Sequence, residues 1–382
     1  MFREKQGIDL KTEHCVEVID REAKFVEGNT LEGKKFQIPY DKLLLATGAS
    51  AVVPGLPGFD LQGVMSLKTL EDGRRTKHFI QDQSVKKTVI IGMGYIALEM
   101  CEALHSRNIA VEMIKPRPAF LPWMNEKLGD MVKKEIEGHG IILHLGSEVK
   151  KIEKDEEGLR IICSDLELET QMILVATGVT PNSRLAEDAG LELGPDKAVA
   201  VNRGLLTSDP DIYAAGDCSD AFHVVTGQRT WIPLALRANR AGWAVADNVT
   251  GNMTTLEGVA GTAVFKVLGL EVSRTGLSMG EAEEYGFDPV EVMIESRTRA
   301  HRHTGSSTIG VQMVGDRKSG RLIGAQMVGK EGAAHRINAA AVALHAGLSV
   351  ETFSQMDLSY APPFGPTWDP LLTAANQLLK AM

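Results

Sequence analysis

Residues 87–115 read KTVIIGMGYIALEMCEALHSRNIAVEMIK, and the apolar residues and glycines of this stretch indicate the fold class of the chain. Its apolar residues predict a buried strand at Thr88–Ile91, followed by a tight turn at Gly92-Met93-Gly94. A helix is predicted over Tyr95–Ser106 and a second strand over Ala110–Ile114. Strand, glycine turn, helix and strand within about 30 residues form a βαβ unit, whose right-handed crossover leads to a parallel sheet.

The glycine turn of this unit predicts a site for the pyrophosphate of a dinucleotide. Glycine permits the tight turn and lets the backbone approach the phosphates, whose charge is met by N–H groups at the start of the helix. Ala97 allows the helix to pack closely on the strand. We therefore interpret Gly92-x-Gly94-x-x-Ala97-x-Glu99 as a nucleotide site, the alternative being a glycine turn that only packs.

The residues after the second strand bear on the choice between NADH and NADPH. Sites for NAD usually carry an acidic residue there, about 20 residues after the first glycine, which binds the ribose 2′-hydroxyl. Lys115 occupies this position here, and Arg117 follows it. Because these cations would attract a 2′-phosphate, we expect NADPH; the alternative is a solvated basic loop in an NADH enzyme.

Two uninterrupted apolar runs end on the same tripeptide. The run from Lys42 to Ala46 stops at Thr47-Gly48, and the run from Met172 to Ala176 stops at Thr177-Gly178. Continuous apolar runs are typical of strands that are buried on both faces. The repeated Ala-Thr-Gly predicts two related nucleotide-binding modules.

Further strands and helices are predicted before, between and after these modules. Residues 8–38 alternate short apolar runs with turn signals, which predicts an antiparallel meander. A predicted strand at Ile212–Ala215 ends at Gly216-Asp217, where a carboxylate could accept hydrogen bonds from a sugar-alcohol chain. From Val259 onwards, alternating strands precede alanine-rich helices near 335–346 and 371–382, which predicts an α+β domain.

Composition excludes several classes of protein. The net charge of -9 disfavours nucleic acid, whose binding depends on clustered Lys and Arg. Apolar residues make up 43% of the chain, but no run of about 18 apolar residues predicts a membrane span. The four cysteines have neither CxxC nor metal-ligand spacing, so we expect no metal site. Their wide separation also fits a reducing compartment, and we expect the protein in the cytoplasm.

Four motifs, taken together and in chain order, resemble those of the FAD- and NAD(P)-dependent pyridine nucleotide-disulfide oxidoreductases. They are Ala46-Thr47-Gly48, Gly92-x-Gly94, Ala176-Thr177-Gly178-x-x-Pro181-Asn182 and Ala214-Ala215-Gly216-Asp217. The resemblance covers essentially the whole chain. It implies an α/β fold with two Rossmann-like FAD/NAD(P)-binding modules, the first incomplete, and a C-terminal α+β dimerisation domain.

In that family the Gly-Asp motif binds the ribityl and pyrophosphate part of FAD, and the next helix directs its N-terminus at the flavin ring. The segment from Pro233 to Arg240 matches this helix, with Pro233 early in it and N–H groups of Leu234 or Ala235 near the ring. The alternative is a helix that only packs. The residues expected to contact cofactors are Ala46, Thr47, Gly48, Gly92, Gly94, Tyr95, Ile96, Glu99, Lys115, Arg117, Ala176, Thr177, Gly178, Gly216, Asp217, Pro233, Leu234 and Ala235.

The C-terminal motif narrows the group within the family. In place of the His-x-His-Pro segment of glutathione- and lipoamide-type reductases, this chain has DLSYAPPF at residues 357–364 and Trp368-Asp369-Pro370. This resembles the NADH oxidase, coenzyme A-disulfide reductase and NAD(P)H sulfur reductase group, which implies a homodimer in which Tyr360 reaches the partner's active site. The alternative is a tyrosine packed in a proline-rich loop. His301 and His303 lack a third metal ligand and are interpreted as part of a solvated loop.

Two motifs of the family are not found in this sequence: the first Gly-x-Gly-x-x-Gly and the redox-active cysteine that follows it. Residue 1 corresponds to a position roughly 75 residues into the family's sequences, which leads us to expect an N-terminally truncated record. None of Cys15, Cys101, Cys163 and Cys218 matches the catalytic cysteine. We accordingly expect weak FAD binding, poor solubility and little disulfide reductase activity from the isolated chain.

The sequence thus predicts an enzyme that passes a hydride from NAD(P)H through FAD to a disulfide, sulfur or oxygen acceptor. The predicted parts are residues 1–85 and 181–257 for FAD, 86–180 for NAD(P)H and 258–382 for dimerisation. One alternative is an electron-transfer flavoprotein similar to ferredoxin or rubredoxin reductases. Another is a non-catalytic dimer that binds NAD(P)H without turnover.

Overall fold

The computed structural model describes residues 5–155 and 158–382. These residues divide into two compact units. The first unit comprises residues up to 50 together with 180–223 and 227–259, and the second comprises 51–179, 224–226 and 260–382. No helix among the described residues is long and apolar enough to span a membrane.

Strands and short two-residue pairings account for most of the regular structure. In chain order, the described strands are β1 (His14–Asp20), β2 (Phe25–Thr30), β3 (Lys35–Pro39), β4 (Leu43–Leu45), β5 (Ala49–Ala51), β6 (Val64–Ser66), β7 (Lys87–Ile91), β8 (Ala110–Lys115), β9 (Ile142–Leu145), β10 (Val149–Asp155), β11 (Gly158–Cys163), β12 (Glu167–Thr170), β13 (Met172–Val175), β14 (Val179–Pro181), β15 (Ile212–Ala214), β16 (Ala221–Phe222), β17 (Arg229–Thr230), β18 (Ala263–Val267), β19 (Leu270–Gly276), β20 (Pro289–Arg297), β21 (Thr308–Asp316) and β22 (Leu322–Gly329). The described helices are α1 (Leu70–Asp82), α2 (Tyr95–His105), α3 (Glu126–Gly138), α4 (Arg184–Asp188), α5 (Ala235–Val249), α6 (Met279–Glu284), α7 (Ala333–His345), α8 (Val350–Ser354) and α9 (Pro370–Ala381), with a 3-10 turn at Pro195–Lys197.

The second unit contains the predicted parallel sheet. Its strand order is β6-β13-β7-β8-β9, and all neighbouring strands run parallel. The strand β7 has β8 as its neighbour on one side and β13 as its neighbour on the other, so the strand order reverses at β7. Ligands of open α/β sheets bind at this kind of switch point, outside the carboxyl end of the strand. The βαβ prediction is confirmed, and the glycine turn lies at the switch point.

The two apolar runs differ in burial. All four residues of β13 are buried, which confirms that this strand is covered on both faces. The prediction for the run from Lys42 to Ala46 is wrong, because Leu44 is 42% exposed. The strand β4 pairs with β15 alone among the described strands, so it is not the interior strand of a covered sheet.

The predicted meander forms the start of the first unit. Strands β1, β2 and β3 pair antiparallel in sequence order. The turn after β1 is bonded to residues 180–223 of the same unit, since Arg21 Nε donates to Asp209 Oδ2 over 2.8 Å. A shared core joins Ile19 and Val26 of the meander to residues of β15 and α5, among them Ile212 and Val245.

The C-terminal residues form the predicted α+β arrangement. Five antiparallel strands follow the order β18-β19-β22-β21-β20. Helices α7 and α9 contribute Ile337, Leu371 and Leu378 to the core of this sheet. The sequence prediction did not include β19, β20 and α6. The predicted domain boundaries remain predictions, and the second unit holds both this sheet and the parallel one.

Candidate dinucleotide-binding sites

Gly92 is required by a close approach between two strand ends. Its φ is +117°, and a Cβ at this position would lie 2.2 Å from the carbonyl oxygen of Ala176. Hydrogen bonds hold the same region together: Gly92 N donates to Ile114 O over 2.9 Å, and Ala176 N donates to Ile91 O over 2.8 Å. Gly92 therefore serves the packing of β7 against the end of β13, in addition to the turn.

Gly94 leaves the first turn of helix α2 accessible. It is the N-cap residue, with φ -82° and ψ -173°, and none of the described side chains caps the helix. A Cβ on Gly94 would meet no described atom within 4 Å. The first N–H groups of α2 therefore keep their donor capacity, and the helix dipole adds positive potential. This arrangement suits an anion such as a pyrophosphate.

Helix α2 places its other predicted residues on two faces. Ala97 is fully buried, which confirms the packing prediction, whereas Ile96 is 43% exposed. The pKa of Glu99 is raised, first by burial and then by the nearby Glu102 carboxylate. Tyr95 was predicted to contact the cofactor, and in the structure its ring packs against Trp123 and Phe265 at centroid distances of 5.7 and 5.2 Å.

The two cations after β8 differ in their surroundings. The ammonium of Lys115 donates to the carbonyl oxygens of Ala119 and Phe120 over 2.8 and 3.0 Å, and its pKa is lowered by burial and then by Arg117. Two of its three protons are thus used within its own loop. Arg117 is exposed and makes no hydrogen bond or ion pair to the described part of the chain. Of the two, Arg117 is the side chain available to a 2′-phosphate.

The repeated Ala-Thr-Gly segments share a hydrogen-bonding pattern. In the first unit, Thr47 Oγ1 donates to Asn182 O over 2.5 Å, and Asn182 Nδ2 donates to Thr47 O over 2.9 Å. In the second unit, Thr177 Oγ1 donates to Val52 O over 2.7 Å. Gly48 and Gly178 have φ of +70° and +129°, and a Cβ on either would meet no described atom within 4 Å. Each threonine therefore fixes a glycine turn whose outer side is open.

The Gly-Asp motif lies beside the start of helix α5 in the first unit. Gly216 has φ +85°, where glycine is favoured, and Asp217 is half-buried with its carbonyl accepting a hydrogen bond from Trp231 Nε1 over 2.8 Å. The helix starts at Ala235 with Leu234 as N-cap, and none of the described side chains caps it. Pro233 therefore precedes the helix, contrary to the prediction, because Leu234 is still extended with φ -127° and ψ 140°.

Arg237 joins these two features and was not predicted. It is 7% exposed in the first turn of α5, and its guanidinium donates to Gly216 O over 2.8 Å and to Ser219 Oγ over 3.0 Å. A further bond reaches Asp220 O. The side chain of Asp220 is fully buried and pairs with Arg229 over 2.7 Å. Burial lowers the pKa of Arg237 and raises the pKa of Asp220.

The cysteines, the histidine loop and Tyr360 were the remaining residues considered for a functional role. Burial raises the pKa of Cys101 to about 12 and that of Cys163 to about 11, whereas Cys15 is exposed. Among the described residues there is no group of three His, Cys, Asp or Glu that could hold a metal, and His303 Nδ1 lies 3.0 Å from Thr304 O. Tyr360 is 49% exposed, so it is not packed inside its loop.

These residues fit the two dinucleotides expected. The open turn at Gly94 and the uncapped start of α2 leave room and donors for a pyrophosphate. In the first unit, the carboxylate of Asp217 is an acceptor suited to a sugar-alcohol chain, and the uncapped start of α5 has N–H donors for a flavin ring. Each unit therefore presents an uncapped helix start and a glycine that needs positive φ or open space. Contact between these residues and a cofactor remains a prediction.

Comparison with known proteins gives consistent matches. A family profile described as pyridine nucleotide-disulphide oxidoreductase matches residues 1–242, and the dimerisation domain of the same family matches residues 262–370. A CoA-dependent NAD(P)H sulfur oxidoreductase of Pyrococcus furiosus is 35% identical over 379 residues, which are 99% of this chain and 85% of that protein. An NADH oxidase of Methanocaldococcus jannaschii is 33% identical over 382 residues, covering 100% and 85%. Among solved structures, an NAD-dependent persulfide reductase from A. fulgidus matches with a TM-score of 0.95 and 32% identity, covering 100% of this chain and 71% of that one.

Proposed function

The chain belongs to the pyridine nucleotide-disulphide oxidoreductase family, and we propose that it passes a hydride from NAD(P)H through FAD to a disulfide, sulfur or oxygen acceptor. The observation that carries this proposal is the open, uncapped start of helix α2 at Gly94, at the switch point of a parallel sheet. A helix start at this point binds the pyrophosphate of a dinucleotide.

The residues of the second unit bind and orient the nicotinamide nucleotide. N–H groups at the start of α2 donate to the pyrophosphate, and the helix dipole favours its charge. The exposed guanidinium of Arg117 attracts a 2′-phosphate, assisted by the remaining proton of Lys115. This arrangement supports NADPH over NADH, because no acidic side chain follows β8 to accept bonds from a 2′-hydroxyl.

The residues of the first unit hold the flavin. FAD, when bound, supplies the redox chemistry, and the protein supplies binding, orientation and electrostatics. Asp217 accepts hydrogen bonds from the sugar-alcohol chain, while Gly216 lets the backbone come close. The uncapped start of α5 presents N–H groups of Ala235 and its neighbours to developing negative charge on the ring.

The acceptor class follows from the relatives and from the C-terminal segment. The names of the relatives include a sulfur oxidoreductase, an NADH oxidase and a coenzyme A disulfide reductase. Tyr360 is half-exposed in a segment held by Arg336, which pairs with Asp369 over 2.9 Å and also donates to Phe364 O. In a homodimer, Tyr360 would reach the partner's active site, and we assign it a role in the step that passes electrons from the flavin to the acceptor.

The assembly and compartment are part of the same proposal. A match to the family's dimerisation domain supports a homodimer formed through residues 258–382. The four cysteines are free thiols in the described structure, which supports a reducing compartment such as the cytoplasm. In the proposed division, the turns at Gly48 and Gly216 belong to the FAD segments 1–85 and 181–257, and the turns at Gly94 and Gly178 belong to the NAD(P)H segment 86–180.

Anaerobic reduction of the protein purified with FAD tests the function. Addition of NADPH should bleach the flavin absorbance, and at least one of polysulfide, oxygen and coenzyme A disulfide should restore it. We expect restoration by the disulfide to be slow, because none of the four cysteines matches the family's catalytic cysteine. Replacement of Tyr360 by Phe should slow the restoration and leave the bleaching rate unchanged. Restoration by a one-electron carrier protein alone would favour a ferredoxin-reductase type of enzyme, and nucleotide binding without any bleaching would favour a non-catalytic protein.

A further inference from the structure

We propose that Gln326, on the C-terminal sheet, is a positioning residue for the nucleotide-binding segment 116–125 and thereby sets the preference for NADPH over NADH. The segment joins β8 to α3 and carries Arg117. The inference rests on the proposed function, since it takes the end of β8 as the place where the ribose of NAD(P)H binds.

Gln326 holds the end of this segment with both polar groups of its side chain. Its Nε2 donates to Trp123 O and its Oε1 accepts from Asn125 N, both over 2.9 Å. The residue lies on β22 and is 2% exposed. A buried amide is costly unless both of its ends are hydrogen-bonded, so this glutamine suits only one placement of the segment's backbone.

A second chain of hydrogen bonds fixes the same place. Asn125 is the N-cap of α3, where its Oδ1 accepts from Lys127 N over 3.1 Å. Its Nδ2 donates to Glu291 Oε1 over 3.1 Å, and Glu291 Oε2 accepts from Gln312 Nε2 over 2.7 Å. Residues on β20, β21 and β22 thus all contribute to holding the start of α3.

Trp123 links the segment to the first residue of the nucleotide-binding helix. Its ring meets Tyr95 edge-on at 5.7 Å, and the guanidinium of Arg274 lies 5.3 Å from its centroid. Arg274 is itself paired with Glu281 over 2.7 Å. Aromatic and cation–π contacts of this kind restrict the position of the indole.

The other end of the segment is tied to β8 through Lys115, whose ammonium binds the carbonyl oxygens of Ala119 and Phe120. Phe120 and Leu121 are buried in the core of the second unit. Arg117 lies between these anchors and remains exposed. With both ends fixed, the reach of Arg117 towards a 2′-phosphate depends on the placement that Gln326 imposes.

Calorimetric titration of the full chain with NADPH and with NADH tests this proposal. Gln326→Met keeps the length and shape of the side chain but removes both hydrogen bonds to the segment. We expect the Kd for NADPH to rise about tenfold and the Kd for NADH to rise about threefold or less. Hydrogen exchange of the amides in 116–125 should become faster in the variant.

Ser273→Ala is the matched control, because Ser273 is 1% exposed on the same sheet and donates to Ala333 O over 3.0 Å, away from the segment. It should lower stability by a similar amount and leave the NADPH to NADH ratio unchanged. If Gln326→Met fails to fold, Asn125→Ser retains the helix cap while losing the bond to Glu291, and should shift the ratio in the same direction.

An unchanged affinity ratio in a folded Gln326→Met protein would overturn the proposal, as would an equal loss of affinity for both nucleotides. Failure of the unaltered chain to bind either nucleotide has a different meaning. It would overturn the proposed nucleotide site itself, and the positioning role with it.

Discussion

Replacing Gly94 by Ser separates the stability of the fold from its affinity for nucleotide. Gly94 is an uncapped N-cap residue with ordinary negative φ, and no described atom lies within 4 Å of a Cβ built there. Serine fits this conformation and can cap the helix itself, so the free energy of unfolding should change by about 0.5 kcal/mol or less. The hydroxyl would then occupy one of the N–H groups that we assign to the pyrophosphate.

The expected loss of affinity is large by comparison. One lost charge-assisted hydrogen bond, at about 1.5–3 kcal/mol, corresponds to roughly a 10- to 150-fold rise in the Kd for NADPH. Thermal unfolding and calorimetric titration of the same protein sample measure the two effects. If Gly94→Ser binds NADPH as tightly as the unaltered chain, the start of α2 is not the pyrophosphate site.

Gly92→Ala is the contrasting variant. Its Cβ would lie 2.2 Å from Ala176 O at a φ of +117°. Strain at this φ costs about 1–3 kcal/mol, and separating the strands to relieve the contact weakens the bond from Ala176 N to Ile91 O by about 1 kcal/mol. This variant should therefore lose stability before any ligand is added.

Three further predictions concern other residues. Arg237→Met should destabilise the protein by about 2–4 kcal/mol, because the buried Asp220 carbonyl loses its Arg237 donor and the Gly216 carbonyl, which still accepts from Ser219, loses a charged donor. Thermal unfolding measures this loss, and flavin absorbance should show lower FAD retention. Glu112 is held by Lys87 and His144, each over 2.7 Å, and although burial raises its pKa, these hydrogen bonds lower it overall. The stability that this carboxylate provides is therefore present above the ordinary glutamate pKa of 4.5 and is lost as the pH falls through the lower pKa of the folded protein. The difference in the free energy of unfolding between the unaltered chain and Glu112→Gln, measured with urea, should therefore shrink in acid. A difference that stays constant with pH would contradict the assignment. Alkylation of the native protein should modify Cys15 alone, as mass spectrometry can show, since burial keeps Cys101 and Cys163 protonated; rapid labelling of Cys101 would be inconsistent with the packing of α2.

Local patterns were sufficient to predict the βαβ unit. The strand, the Gly92-Met93-Gly94 turn and the helix follow one another directly, and their periodicity and turn chemistry act over a few residues. The same holds for the antiparallel meander and for β18, β21 and β22 of the C-terminal sheet, whereas β19 and β20 were not predicted. Burial of Ala97 against the sheet could be predicted for this reason as well.

Long-range contacts explain most of what the sequence did not predict. Arg237 acts on a carbonyl that lies 21 residues earlier, and Gln326 acts on Trp123 across 203 residues. No periodicity connects such pairs, so their roles depend on tertiary packing. The exposure of Leu44 has the same origin, because an apolar run indicates a strand without indicating how many neighbours cover it.

A crystal structure of the chain with NADPH would show whether the nucleotide binds at the start of α2. We expect the pyrophosphate to lie within hydrogen-bond distance of the N–H groups at the start of α2, over Gly94, with the 2′-phosphate beside Arg117. A nucleotide bound elsewhere on the chain, with the turn at Gly94 facing only solvent, would contradict it.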